Sequence, residues 1–359
     1  MATVPLDIDA FIGGALGPII GVISFWFLQF VFIEIQKRLL SKLRHRHDAF
    51  CRFTNFIGIL FQTICHALGY TITRSGIASF QVTVSYGKVE PKKEKTGVFE
   101  WIVRSFLLFG PFFIPAGLVL LASYFVIGSG FSLPTPVQFT FVESLTMFGT
   151  SLSSFGTAFV IFLVTMDLFN PVYIGFLFVL FFFGLGIRPS YIGEERKGKI
   201  DMIRDLTHIK DHLIQKPIYI LAIIGIIYVF YLVSLFLNPV AYLGVCIVLG
   251  WMSLTAIIAL LLTYVLIGLI KATDMIVPVW KMISPVTLIA SYIGARVSFL
   301  YYSVDNVESL SLLVMVVITM VITILLIKYK PTNRFKTKTK MKHTRVADGK
   351  KRTSKKRAD

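Results

Sequence analysis

Long apolar runs are the feature of this chain that most limits what it can fold into. Phe11–Ile35 is broken only near its end by Glu34, and Ile218–Leu237, Val240–Ile270 and Leu310–Ile327 follow the same pattern. Each is as long as the ~17–25 residues that cross a ~30 Å hydrocarbon core. Several such runs cannot all be interior helices of one soluble core, so the chain reads as an all-α polytopic membrane protein. Composition agrees: 15% of the 359 residues are charged, against ~25% in an ordinary soluble domain, and the mean hydropathy is +0.77.

The pattern predicts helices over 10–35, 53–72, 100–127, 154–187, 218–237, 240–271, 280–301 and 308–328, a total of about seven to nine transmembrane or re-entrant helices. The stretch 154–187 is too long for one upright span, and Asn170-Pro171 in its middle marks a kink or a division. Arg296 lies inside 280–301 and Asp167 inside 154–187. Ionisable groups at such positions face a bundle interior or a polar path, so both are candidate membrane-buried functional residues.

Charge is concentrated between the spans. Segment 36–52 holds six Lys/Arg and 188–217 holds seven, whereas 128–153 has none and 302–308 carries only acids. By the positive-inside rule the basic segments are cytoplasmic and the other two lie outside. From 188 onward this works, with four crossings leading to a cytoplasmic C-terminus. The N-terminal half does not close: 73–99 carries Arg74, Lys88, Lys92, Lys93 and Lys95, so 53–72 begins and ends on the same side. Either 53–72 is re-entrant or one flanking assignment is wrong.

From Lys328 to Asp359 there are fourteen Lys/Arg against two Asp, a surplus of twelve out of the net +17. With almost no apolar content after Phe335, residues 331–359 read as a disordered tail. Its cations, among them Lys336, Lys338, Lys340, Lys350, Lys351, Arg352, Lys355, Lys356 and Arg357, anchor topology or engage anionic lipid headgroups or ribosomal RNA. No aromatic residues are interleaved for base stacking, so nucleic-acid binding would be phosphate-driven and salt-sensitive. Cys51, Cys65 and Cys246 form no CxxC and no disulfide framework. The N-terminus lacks the basic n-region of a cleaved signal peptide, so the first span is expected to be retained.

Ser79-Phe80-Gln81-Val82-Thr83-Val84 alternates around Tyr86-Gly87 and predicts a β-hairpin near 78–91. Just before it stands Gln62-Thr63-Ile64-Cys65-His66-Ala67-Leu68-Gly69-Tyr70. A zinc-hydrolase helix carries two His at i and i+4 for the metal, and an intervening Glu as general base. This string resembles the motif helix of the intramembrane site-2 protease group of metallopeptidases. His66 matches the second His, while Gln62 stands for the first and Thr63 for the Glu.

The resemblance extends over residues 53–200. A β-ribbon follows the motif helix, and Leu108-Phe109-Gly110-Pro111 is similar to the family's Gly-Pro helix. Gly184-Leu185-Gly186-Ile187-Arg188-Pro189-Ser190 ends a helix ahead of Glu194, the carboxylate nearest the family's acidic ligand position. No motif is intact, so the resemblance implies a site-2-protease-like core without the hydrolytic zinc chemistry, and no cofactor is expected. Zinc held by His66 and Glu194 is the contrary reading.

His208 and His212 lie four apart with Asp211 adjacent, the spacing of two ligands to one metal or of the polar face of a cytoplasmic amphipathic helix. His45 and His47 belong to a basic surface cluster, and Met315, Met320 and the Phe-rich stretch 159–183 to helix surfaces. Gly13, Gly17 and Gly21 have small-xxx-small spacing, the geometry of close helix approach within the chain or between copies.

The sequence divides into a first helix with a basic amphipathic segment (1–52), the site-2-protease-like core with its hairpin (53–200), C-terminal membrane helices preceded by a cytoplasmic amphipathic helix (201–330), and the tail (331–359). The reading is a non-enzymatic integral membrane protein: a scaffold, a client-binding protein or an accessory subunit of a membrane complex. A transporter or channel using Asp167 and Arg296 is the first alternative, and an active intramembrane zinc metalloprotease the second.

Overall fold

The computed structural model describes residues 9–44, 46–84, 86–93, 96–134, 140–187, 207, 210, 211, 214 and 216–330. They form nine α-helices: α1 (Gly14–Leu43), α2 (Asp48–Ile72), α3 (Val98–Ile127), α4 (Phe141–Thr165), α5 (Pro171–Gly186), α6 (Pro217–Leu237), α7 (Pro239–Thr273), α8 (Ile283–Tyr301) and α9 (Val307–Tyr329). Between α2 and α3 lies one antiparallel hairpin, β1 (Ile77–Val82) with β2 (Gly87–Pro91). Eight helices are long and apolar enough to cross a membrane, and α5 is shorter. The chain is a polytopic helical membrane protein, and the hairpin falls where the alternation placed it.

The helix limits settle one open alternative and correct one expectation. The segment 154–187 is two helices, because Asn170 accepts a bond from Val172 N at 3.0 Å and caps a new helix, with Pro171 in its first turn. Residues 141–153, read as part of an outer loop, are instead the first half of α4. Their hydroxyls suit a helix: Thr146 Oγ1 donates to Val142 O at 2.7 Å, and Ser144 and Ser151 are buried. Elsewhere α2 starts at Asp48, several residues early, and α8 starts at Ile283 after a 3₁₀ turn, Pro278–Trp280.

The chain divides into two compact units, residues 1–163 with 168–264, and residues 164–167 with 265–359. In the first, α1, α4 and α7 pack side by side in the same direction. A Cβ placed on Gly17 would sit 2.7 Å from Phe141 O, and one on Gly21 would sit 2.5 Å from Phe148 Cε1. The glycine stripe therefore serves α1–α4 packing inside the chain. Gly250 of α7 closes on Phe148 and Leu152, and Trp251 Nε1 donates to Ser151 O at 3.2 Å. Tyr242 OH donates to Ala15 O at 2.7 Å, Gln36 Nε2 to Thr263 Oγ1 at 3.1 Å, and Tyr264 OH to Phe32 O. Low residue numbers meet low numbers in all three pairings, which makes the triad parallel.

α3 fills mid-depth against this triad. Phe112 O accepts from Gln29 Nε2 at 3.0 Å, and Gly117 faces Met252. Apart from the main core, Ile57, Phe61 and Leu185 form a small cluster between α2 and the end of α5, with Phe61 and Phe183 rings 5.1 Å apart. In the second unit α8 and α9 pair as a helical hairpin, tied by Thr323 Oγ1 to Ser284 Oγ at 3.1 Å. Val277 N donates to Lys330 O at 3.1 Å near its base.

Candidate functional site

The polar residues of α2 are spaced to form a stripe: Asn55, Gln62, Thr63, His66 and Tyr70 recur at helical intervals on a helix otherwise rich in Phe, Ile and Leu. The hairpin lies along it. Asn55 Nδ2 donates to Val84 O at 2.9 Å, holding the ribbon tip near the start of α2. Gly87 rests against Thr63 and Ile59 so closely that any side chain there would collide with the Thr63 hydroxyl. Only glycine permits this approach.

Cross-strand pairing sorts the ribbon's faces. Val82 opposes Gly87 on the side toward α2, and Phe80, still 47% exposed, opposes Val89. Ser79, Gln81, Lys88 and Glu90 make a polar outer face, on which Ser79 Oγ donates to Glu90 Oε2 at 2.8 Å and Lys88 pairs with Glu90. The ammonium of Lys88 and then the Ser79 hydroxyl hold the Glu90 carboxyl below its ordinary range. Among the described residues the sheet has these two strands alone, so both outer edges lack a strand partner.

The residues of the motif helix do not fit a hydrolytic zinc site. Thr63 Oγ1 donates to Ile59 O at 2.7 Å and lies beneath the ribbon. His66 packs edge-on to Tyr70 with centroids 5.9 Å apart. One imidazole beside an amide and a hydroxyl supplies neither the donor set nor the base. Among the described residues no three His, Cys, Asp or Glu converge. Glu194, His208, His212 and the tail cations from Lys336 to Arg357 lie outside the described residues.

The second unit joins Asp167 and Arg296, which the sequence singled out separately. Arg296 Nη2 donates to Asp167 Oδ2 at 3.1 Å and Nη1 reaches Glu308 Oε1 at 2.8 Å. Tyr292 OH, one turn earlier on α8, donates to Asp167 Oδ1 at 3.2 Å. The Arg296 side chain is 8% exposed, while Asp167 and Glu308 are 30% and 37% exposed. One guanidinium thus draws in two carboxylates that reach toward the surface, a fork geometry to which arginine is suited and lysine is not. Tyr292 and Glu308 were missed by sequence reasoning. Glu308 was visible only as part of an acidic turn.

A further set of residues was passed over in α1. Gln29, Glu34, Gln36 and Lys37 are all buried within an apolar helix. Lys37 Nζ meets Glu34 Oε1 at 2.5 Å, and Gln36 Nε2 also donates to Gly184 O at 3.3 Å. The signal was present as polar letters interrupting Phe11–Ile35 and its continuation. Their clustering with Thr263 and α5 was not.

Comparison of the chain with protein-family models, curated proteins and solved structures gives no match.

Proposed function

We propose that this chain is a non-enzymatic integral membrane protein that holds an extended client segment along the outer edge of its β-ribbon, on a core of site-2-protease-like ancestry. The observation that carries the reading is the pinned ribbon: Asn55 and Thr63 fix it on α2 while its outer edges keep backbone groups available for a third strand. The helix–ribbon–helix order of residues 48–127 supports the ancestry. Thr63, occupied with its own helix, supports the loss of hydrolysis.

The test places a photo-crosslinking residue at Gln81 in the full chain in native membranes, with Val142 as the control position. Adducts at Gln81 that map to one extended stretch of another membrane protein, and that disappear when Ala78→Pro breaks the edge, are expected. Equal adducts at both positions, or stoichiometric zinc with peptide-bond cleavage by the purified protein, would overturn the proposal.

Solute transport is a second reading, favoured by Arg296 with Asp167, Tyr292 and Glu308. Unaltered uptake in Asp167→Asn and Arg296→Ala variants removes it. The basic segments place the C-terminus in the cytoplasm in this proposal, where residues 331–359 act as a docking arm for anionic lipid headgroups, ribosomal RNA or a membrane complex. Deleting 331–359 is expected to reduce co-sedimentation with anionic liposomes or ribosomes at low salt, and unchanged co-sedimentation refutes the arm.

A further inference from the structure

The parallel triad constrains every connection in the first unit. α1, α4 and α7 run in one direction, so the chain must recross the bilayer once between α1 and α4 and once between α4 and α7. Two helices are available in each interval: α2 and α3 in the first, α5 and α6 in the second. One of each pair must therefore begin and end on the same side.

Packing and composition show which. α3 lies against the middle of the triad, at Gln29 and Met252, and its apolar stretch Leu108–Ile127 is the more hydrophobic of the pair, α2 being the least apolar of the long helices. α5, at 16 residues, is about 24 Å long at 1.5 Å per residue, short of a ~30 Å core; α6, equally apolar, has 21 residues and is long enough to cross. The two helices that parity leaves over, α2 and α5, are the two that share the separate Ile57–Phe61–Leu185 cluster. A Cβ on Gly186 would meet Phe61 Cδ2 at 2.5 Å.

The ribbon requires the same placement. Its outer face carries the ion pair of Lys88 and Glu90, whose side chains are 58% and 47% exposed, and unpaired strand edges are excluded from lipid. Basic residues at both ends of α2 place both ends on the positive side. We propose that α2, the ribbon and α5 form a re-entrant layer opened from one face of the membrane, and that this face docks the headgroups of anionic phospholipids.

Charge balance on the layer argues for that occupant. Among the described residues each acid there is matched by its own neighbour: Asp48 with Arg52, Glu90 with Lys88, Glu100 with Arg104. Arg38, Lys42, Arg44, Arg74, Lys92 and Lys93 are exposed and have no ion pair among the described residues. The re-entrant course brings these cations from both ends of α2 to one leaflet, where each attracts an anionic surface by about 1 kcal/mol. The inference rests on neither the client reading nor the metallopeptidase resemblance.

Two measurements on the full chain test it. In a cysteine-free background, single cysteines replace Arg44, Lys92 and Val142, and an impermeant maleimide is applied to vesicles of uniform orientation. Arg44→Cys and Lys92→Cys are expected to label from one side and Val142→Cys from the other. Labelling of Lys92→Cys together with Val142→Cys overturns the re-entrant course.

Spin-labelled phosphatidylglycerol and phosphatidylcholine are then compared in vesicles of the reconstituted protein. A preference for the anionic lipid of at least about twofold is expected, falling toward one when the six cations become Gln with the tail retained. If the six-site variant fails to fold, Arg74, Lys92 and Lys93 alone are changed, and a partial fall is expected. An unaltered preference in the folded variant overturns the docking face and assigns the lipid to the tail.

Discussion

Phe148 is 1% exposed and is clamped between two glycines, Gly21 of α1 and Gly250 of α7. Gly21→Ala would place a methyl 2.5 Å from Cε1 and 2.6 Å from Cδ1, where carbon atoms need ~3.5–4.0 Å. The ring would have to retreat by about 1 Å. That path is closed, because Phe148 Cζ already lies 2.7 Å from where a Gly250 Cβ would be, and Phe25 packs at 6.2 Å on its edge.

Overpacking of this kind costs about 1–3 kcal/mol, offset by up to ~1 kcal/mol from the better helix propensity of Ala. A net loss of roughly 1–2 kcal/mol is expected for Gly21→Ala. Phe148→Leu removes the colliding atoms, so the double variant should be little worse than Phe148→Leu alone, with a coupling of about 1–2 kcal/mol. Reversible unfolding in mixed detergent micelles gives the four corners of the cycle. Gly149→Ala, which meets nothing within 4 Å, is the control and should show the propensity gain alone, a stabilisation of up to ~1 kcal/mol. Additive single changes, or a neutral Gly21→Ala, would refute the parallel α1–α4–α7 contact as drawn.

Asn55→Ala should release the ribbon tip at a loss of about 1 kcal/mol, read as faster amide exchange at Val84 and Tyr86 with α2 unchanged. Asp167→Asn with Glu308→Gln strips Arg296 of both counter-charges. A loss of roughly 2–4 kcal/mol is expected, reduced from a fully buried pair because both carboxylates are partly exposed, and adding Arg296→Met should recover most of it in thermal unfolding. The lowered Glu90 carboxyl links the ribbon to pH. Its contribution is present above the ordinary Glu range and is lost as pH falls through the lowered folded value, so the Glu90 side-chain resonance should titrate below a model-peptide Glu, and Lys88→Gln should bring it back up.

The parts of this architecture that composition alone decides were legible in the sequence. Ile218–Leu237 and Leu310–Ile327 are so uniformly apolar that no other element suits them, and the helices found there differ by a few residues. The first half of α4 was hidden because Ser144, Thr146 and Ser151 read as loop letters, although in lipid their hydroxyls turn back to the helix or are buried. The hairpin was legible through local alternation, but its seat on α2 depends on Gly87, whose approach to Thr63 no periodicity reveals. Asp167 and Arg296 were each suspect as charges in apolar stretches. Their pairing spans 129 residues and follows from tertiary packing.

The parallel triad also sets a schedule for making the protein. Tyr242 and Ala15, which are hydrogen-bonded, are 227 positions apart, as are Thr263 and Gln36. At ~5–20 residues per second of synthesis, α1 is in the membrane for roughly 10–45 s before α7 emerges. During that time Gln36 and the Ala15 carbonyl have none of their α7 partners. The packing partners of α1 are thus supplied only once the residues of α7 have been synthesised.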